Sequence, residues 1–217
     1  TLTDRHKQIL MKLFPSATIV DAREVVEMYK DFFVAHSDLR EFRTTYTKFQ
    51  SKKLLDPYLS STRSYRLVLD SDILWFKDPT EIRDALAKGV PNAYMMSDAS
   101  GTEGGFSYVT FKDGTKITDE IASYNSGITL YAREQFDLAK FSQYLAKVDY
   151  RNGRFTDQAC YATMFSPNLV RLPEKGYIIK GSLADHVVAR HYTNPSRAKF
   201  YCYGLNFISD DILRELL

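Results

Sequence analysis

Residues 67–76 read LVLDSDILWF, and no other stretch constrains the fold as much. Leu67, Val68 and Leu69 are apolar without alternation, the pattern of a strand buried on both faces in the middle of a mostly parallel sheet. Asp70 and Asp72 then interrupt the run before Ile73, Leu74, Trp75 and Phe76 resume it. A strand ending this way presents two carboxylates at the carboxyl edge of the sheet, where open α/β sheets hold ligands.

Strand and helix periodicities alternate around this run. Thr3 or Asp4 can cap a helix reaching Leu13, with Ile9, Leu10 and Leu13 at helical spacing and Pro15 as its breaker. ATIVDA reads as a strand and residues 23–33 as a helix. Residues 44–59 read as a further helix that points Phe49 and Leu54 inward and leaves Lys48, Lys52 and Lys53 on other faces, its end marked by Pro57 and the Ser-Ser-Thr of 60–62. DPTEIRDALAKG is a capped helix stopped by Gly89, and NAYMMSD is a strand. Residues 101–118 form a hairpin turning at Asp113-Gly114, with Phe106 and Tyr108 available for acceptor contacts. YNSGITLYA is a strand, and residues 133–148 and TDQACYATMF are helices, the latter capped by Thr156. Short strands follow near residues 177–179 and in DHVVARHY, then a helix from Ser209 with Asp210 and Asp211 at its cap. The expected class is α/β, a mostly parallel central sheet flanked by helices, in a single domain over residues 1–217.

Charge narrows the partners. The formal net charge is only +2, from 29 basic and 27 acidic residues without a run of one sign, so neither a nucleic-acid arm nor a membrane-surface helix is expected. No segment approaches the roughly 18 apolar residues of a membrane span, and the first residues lack the layout of a signal peptide. The expected location is cytoplasmic, peripheral to a membrane at most. Cys160 and Cys202 have neither metal-ligand nor disulfide spacing and are expected to be reduced packing residues.

Two like charges as close as Asp70 and Asp72 prefer a cation between them. Oxygen ligands favour a hard ion, Mg²⁺ or Mn²⁺, which completes its shell with phosphate oxygens. Two chemistries use such a pair. A haloacid-dehalogenase-type phosphatase employs one Asp as nucleophile and the next as acid/base, usually within Asp-X-Asp-X-Thr/Val at the head of the chain, whereas Leu74 fills the last place here. A sugar-nucleotide glycosyltransferase instead holds a metal against the donor diphosphate.

LDSDILWFKDP resembles the aspartate motif of GT-A glycosyltransferases. YNSGITLY is similar to the Asn-Ser/Ala-Gly strand of glycogenin and the bacterial lipopolysaccharide galactosyltransferases, TDQACYATMF to their Asp-Gln segment, and HYTNPSRAKFY to their His-containing metal and phosphate loop. The four segments occur in the family's order. The resemblance implies a GT-A fold and a retaining transfer of hexose from a nucleotide diphosphate sugar, UDP-linked, to a hydroxyl of a glycan or other acceptor.

It further implies that Asp70, Asp72 and His191 hold Mn²⁺ or Mg²⁺, with Asp70 also near the ribose. Gln158 then lies beside the anomeric carbon, and Asp157 orients donor hydroxyls. Asp98, Asn125, Ser126 and Gly127 contact the sugar, while Lys48 or Lys52 helps hold the donor. Arg197 stands where the family has Lys and can neutralise the diphosphate. Asn194 stands where it has Gly. The resemblance departs at the start: members open with a base-binding strand, whereas TLTDRHKQIL matches a second helix, so the first nucleotide-binding strand is expected to be absent from this chain. A non-catalytic binding module of the same fold stays open beside the phosphatase.

Overall fold

The computed structural model describes residues 3–45, 50–98, 111–115, 123–150, 156–193 and 196–204. Its strands are β1 (Tyr65–Leu69), β2 (Ile73–Trp75), β3 (Ala93–Ser97), β4 (Tyr124–Ala132), β5 (Leu169–Arg171), β6 (Tyr177–Ile178) and β7 (Ala189–His191). They form two open mixed sheets, ordered β1-β4-β3-β5 and β2-β7-β6. β4 pairs antiparallel with both β1 and β3, and β2 pairs antiparallel with β7; only β3–β5 and β6–β7 are parallel. The fold is therefore mixed α/β, and the expectation of a mostly parallel sheet is corrected.

The LVLDSDILWF run is not one strand. β1 ends at Leu69, residues 70–72 turn, and β2 enters the other sheet. The carboxylates interrupt the apolar run because the chain changes sheets there. Nor is β1 buried on both faces. Arg66 and Val68 point inward, while Tyr65, Leu67 and Leu69 are exposed, the two leucines at 43%. Among the described residues β1 pairs only with β4, so it is an edge strand and one of its faces is uncovered. The long buried strand is β4, all nine of whose residues are covered, as are the three of β7.

The helices are α1 (Asp4–Leu13), α2 (Val25–Met28), α3 (Lys30–Ala35), α4 (Ser37–Thr45), α5 (Gln50–Leu59), α6 (Thr80–Ala87), α7 (Leu138–Lys147), α8 (Thr156–Phe165) and α9 (Arg197–Lys199). Thr3 caps α1 reciprocally with His6, but no residue of α1 is buried and its apolar Ile9 is exposed. ATIVDA forms no regular strand, and the helix expected over 23–33 breaks at Tyr29 into α2 and α3. α6 ends as expected at Gly89, whose φ of 76° lets Val90 N–H reach Ala85 O and Gly89 N–H reach Leu86 O. α7 starts only at Leu138, because Asp137 caps the N–H groups of Ala139 and Lys140.

β4 separates two apolar clusters. One packs Phe33, Leu39, Phe42, Leu54, Phe141 and Tyr161 of the helices against Val68 and Tyr131. The other packs Ile82 and Ala85 of α6 and Tyr177 and Ala189 of the second sheet against Ile128 and Leu130. Arg43 ties α4 to α5 through a two-pronged ion pair with Asp56, at 2.7 and 2.9 Å. Cys160 is buried as expected and its thiol is pushed up by that burial, whereas Cys202 is exposed. Residues 111–115 form the expected tight turn, with Gly114 at φ 81°. The rest of the hairpin expected over 101–118 and the helix expected from Ser209 lie outside the described residues.

Candidate metal and ligand site

Three local devices place the site side chains at the junction of the two sheets. First, Asp70 N–H donates to Gly127 O at 2.9 Å and Tyr192 N–H to Asp72 O at 2.8 Å, which fixes the 70–72 turn to both sheets. Second, the β3–β4 register slips between Met95, opposite Thr129, and Met96, opposite Asn125, so that residues 126–128 bulge out of the β3 ladder. Bulges of this kind re-aim side chains beside functional sites, and here Asn125 reaches His191 and Gln158 while Ser126 reaches Asp157 and Lys53. Third, β7 ends at His191, opposite Ile73, so its ring meets the turn.

Asp70, Asp72, Asn125, Ser126, Asp157, Gln158, His191 and Arg197 all line one cleft of about 1000 Å³. The ligand atoms of Asp70, Asp72 and His191 lie within 4.8 Å of one another. His191 Nε2 is 3.1 Å from Asp72 Oδ1 and 3.4 Å from Asp70 Oδ2.

The hydrogen bonds set the histidine tautomer. Gly127 N–H donates to Asn125 Oδ1 at 2.8 Å, which identifies that atom as the amide oxygen, and Asn125 Nδ2 donates to Gln158 Oε1 at 2.9 Å. His191 Nδ1, 2.9 Å from the same Oδ1, must therefore carry the proton. Nε2 then faces the two carboxylates, where it holds a proton toward Asp72 or, in the proton's place, a cation. Two carboxylates and one imidazole nitrogen at this spacing fit a divalent ion of the Mg²⁺ or Mn²⁺ kind, and the Asn125 contact orients the imidazole from behind.

Gly127 lies behind this set. A Cβ there would run into the His191 ring and come within 2.8 Å of Asn125 Oδ1, so only backbone fits.

The described charges are balanced internally. Arg197 donates to Asp72 Oδ2 at 2.8 Å. Burial disfavours the charge of Asp72, but the hydrogen bonds and charges of His191 and Arg197 outweigh it and bring its carboxyl down to about 2. Asp157, in the first turn of α8, accepts from Ser126 Oγ at 2.7 Å through Oδ2. Among the described residues its buried Oδ1 has no partner. Asp157 lines the cleft, and an unpaired buried carboxylate oxygen calls for a partner.

Lys53 is the residue that sequence reasoning missed. Its Nζ is 2.7 Å from Asp70 Oδ1, 2.9 Å from Ser126 Oγ and 3.6 Å from Asp157 Oδ2, and its side chain is only 8% exposed. Periodicity assigns it to solvent, because it lies across α5 from the buried Ser51, Leu54 and Leu55. The available signal is Pro57. α5 does not stop there but continues to Leu59, and a proline leaves the carbonyl four residues back without its helical donor. That carbonyl is Lys53 O, which accepts from the buried Tyr161 hydroxyl at 2.8 Å.

Asp98 follows β3, with its N–H on Ser123 O, and is not among the described residues that line the cleft. Lys52 lines the cleft, while Lys48 and Asn194 lie outside the described residues. No helix among the described residues is long and apolar enough to cross a membrane. Searches of protein-family models, curated proteins and solved structures find no match to this chain.

Proposed function

We propose that this chain is a metal-dependent glycosyltransferase of the GT-A fold, moving a hexose from a UDP-sugar to a hydroxyl of a glycan or other acceptor with retention at the anomeric carbon. The observation that carries the reading is the convergence of Asp70, Asp72 and a tautomer-fixed His191 with the Asp157–Gln158 pair and Arg197 on one cleft. These residues come from three of the four segments that resemble the family, and Asn125 behind His191 comes from the fourth.

Asp70, Asp72 and His191 would hold the ion, which supplies charge neutralisation for a leaving diphosphate. Arg197 offers a guanidinium to the same phosphates. Asp157 Oδ1 accepts sugar hydroxyls. Gln158, whose Oε1 is held by Asn125, presents a fixed amide dipole rather than a mobile one, in keeping with a preorganised site. Substrate placement by the cleft supplies the remaining advantage.

The test is nucleotide release from UDP-glucose and UDP-galactose with Mn²⁺. Release that requires Mn²⁺ and falls about 100-fold or more in His191→Ala supports the proposal. Phosphate release from p-nitrophenyl phosphate with no UDP release returns the haloacid-dehalogenase-type phosphatase. Neither activity, with Mn²⁺ still bound, marks a non-catalytic binding module.

A further inference from the structure

All four carboxylate oxygens of Asp70 and Asp72 already have a partner from the chain itself. Asp70 Oδ1 pairs with Lys53 and Asp70 Oδ2 faces His191 Nε2. Asp72 Oδ1 faces the same nitrogen, and Asp72 Oδ2 pairs with Arg197. The partners differ in freedom. Lys53 is enclosed, with contacts to Ser126 and Asp157 besides Asp70, and His191 is locked by Asn125. Arg197 is 55% exposed, sits on the three-residue helix α9, and among the described residues its guanidinium pairs with Asp72.

We propose that Arg197 is a displaceable counterion of the metal site. A divalent cation entering between Asp70, Asp72 and His191 takes Asp72 Oδ2 from Arg197, and the released guanidinium becomes an anchor for an anionic phosphate ligand in the same cleft. Metal and phosphate ligand then bind cooperatively. The cation frees the arginine, and an anion that holds the arginine off Asp72 favours the cation by the same factor, because coupling between two sites is reciprocal. The inference rests on the transferase reading for the identity of the phosphate ligand, but its cation half stands on the Asp72 contact alone.

The arrangement also accounts for the asymmetry between the two internal cations. Lys53 neutralises Asp70 from inside the protein, where displacing it would leave Asp157 without a counter-charge. Arg197 neutralises Asp72 from the solvent side, where it can swing away at little cost. Exposed ion pairs contribute modestly to stability, so the counterion yields readily to a doubly charged ion.

The experiment is a titration of chelator-treated protein with Mn²⁺ alone, read by the loss of the free-ion paramagnetic resonance signal, on wild type, Arg197→Ala, Arg197→Lys and Lys52→Ala. A parallel calorimetric titration uses UDP, with and without Mn²⁺. The proposal expects Arg197→Ala to bind Mn²⁺ about two- to fivefold more tightly than wild type, the scale of one part-exposed ion pair. Arg197→Lys should return toward wild type. Lys52→Ala, which removes a cleft cation that is not paired with Asp72, should shift the affinity less.

In the UDP arm, the gain in affinity conferred by Mn²⁺ should shrink in Arg197→Ala. Unchanged or weaker Mn²⁺ binding in Arg197→Ala, an equal shift from Lys52→Ala, or no Mn²⁺ binding by any of the proteins overturns the proposal. Tightened Mn²⁺ binding with no UDP binding in wild type supports the counterion and sinks the UDP-sugar reading, so the two failures are distinguishable.

Discussion

Lys53 and Asp70 form an enclosed ion pair, Nζ to Oδ1 at 2.7 Å, with the lysine side chain 8% exposed and Asp157 3.6 Å away. One ammonium therefore serves two carboxylates that belong to the two halves of the site, the metal-binding turn and the start of α8. Removing one partner of such a pair leaves the other charges uncompensated, which costs more than the pair's net contribution. Lys53→Met should destabilise the fold by about 3 kcal/mol, read as a lowered urea midpoint, whereas Lys52→Met should leave the midpoint within about 0.5 kcal/mol of wild type.

The backbone of Lys53 depends on Tyr161. Pro57 removes the helical donor for Lys53 O, and the Tyr161 hydroxyl replaces it at 2.8 Å. Tyr161→Phe keeps the packing of the ring but leaves that carbonyl unpaired. A loss of about 1–2 kcal/mol is expected in chemical denaturation, and an unchanged midpoint would show that the hydroxyl does not hold the lysine turn.

Gly127→Ala tests the rear of the metal set. The added Cβ meets the His191 ring and Asn125 Oδ1, so the imidazole must leave its place between Asn125 and the carboxylates. Mn²⁺ affinity should drop by about 10- to 100-fold, as when the contact behind a ligating histidine is lost. Circular dichroism of the variant should remain that of a folded protein.

The acid limb of stability carries the signature of Asp72. Its carboxyl is lowered from 3.8 to about 2 in the folded protein, through His191 and Arg197 acting against burial. The folded state thus binds fewer protons than the unfolded chain in this range. The contribution is complete above about pH 4 and is lost as pH falls toward about 2. In chelator, Arg197→Ala should show a shallower loss over that window than wild type, read as urea midpoint against pH.

What the sequence made legible follows from residue type more than from pattern. Asp70, Asp72 and His191 stand together in the structure because two carboxylates after an apolar strand, and a histidine after another, carry recognisable chemistry. Asn125, Ser126, Asp157 and Gln158 join them on the same cleft. Topology was less legible. Leu67, Val68 and Leu69 look alike in sequence, yet only Val68 is buried, because apolar content does not reveal how many neighbours a strand has. β4 pairs antiparallel on both sides, and its full burial removes the in-out alternation that would have marked it as antiparallel. Lys53 escaped detection because its burial comes from β4 and α8, distant in sequence, and not from the stripe of its own helix.

The most direct test of the account is a calorimetric titration of UDP into the protein with and without Mn²⁺, repeated on the Asp70→Asn, Asp72→Asn double variant. The account predicts UDP binding that strengthens by about tenfold or more with Mn²⁺ and loses that dependence in the double variant, because the cation is held by those two carboxylates. UDP affinity that is the same with and without Mn²⁺, or a Mn²⁺ effect that survives in the double variant, would contradict it.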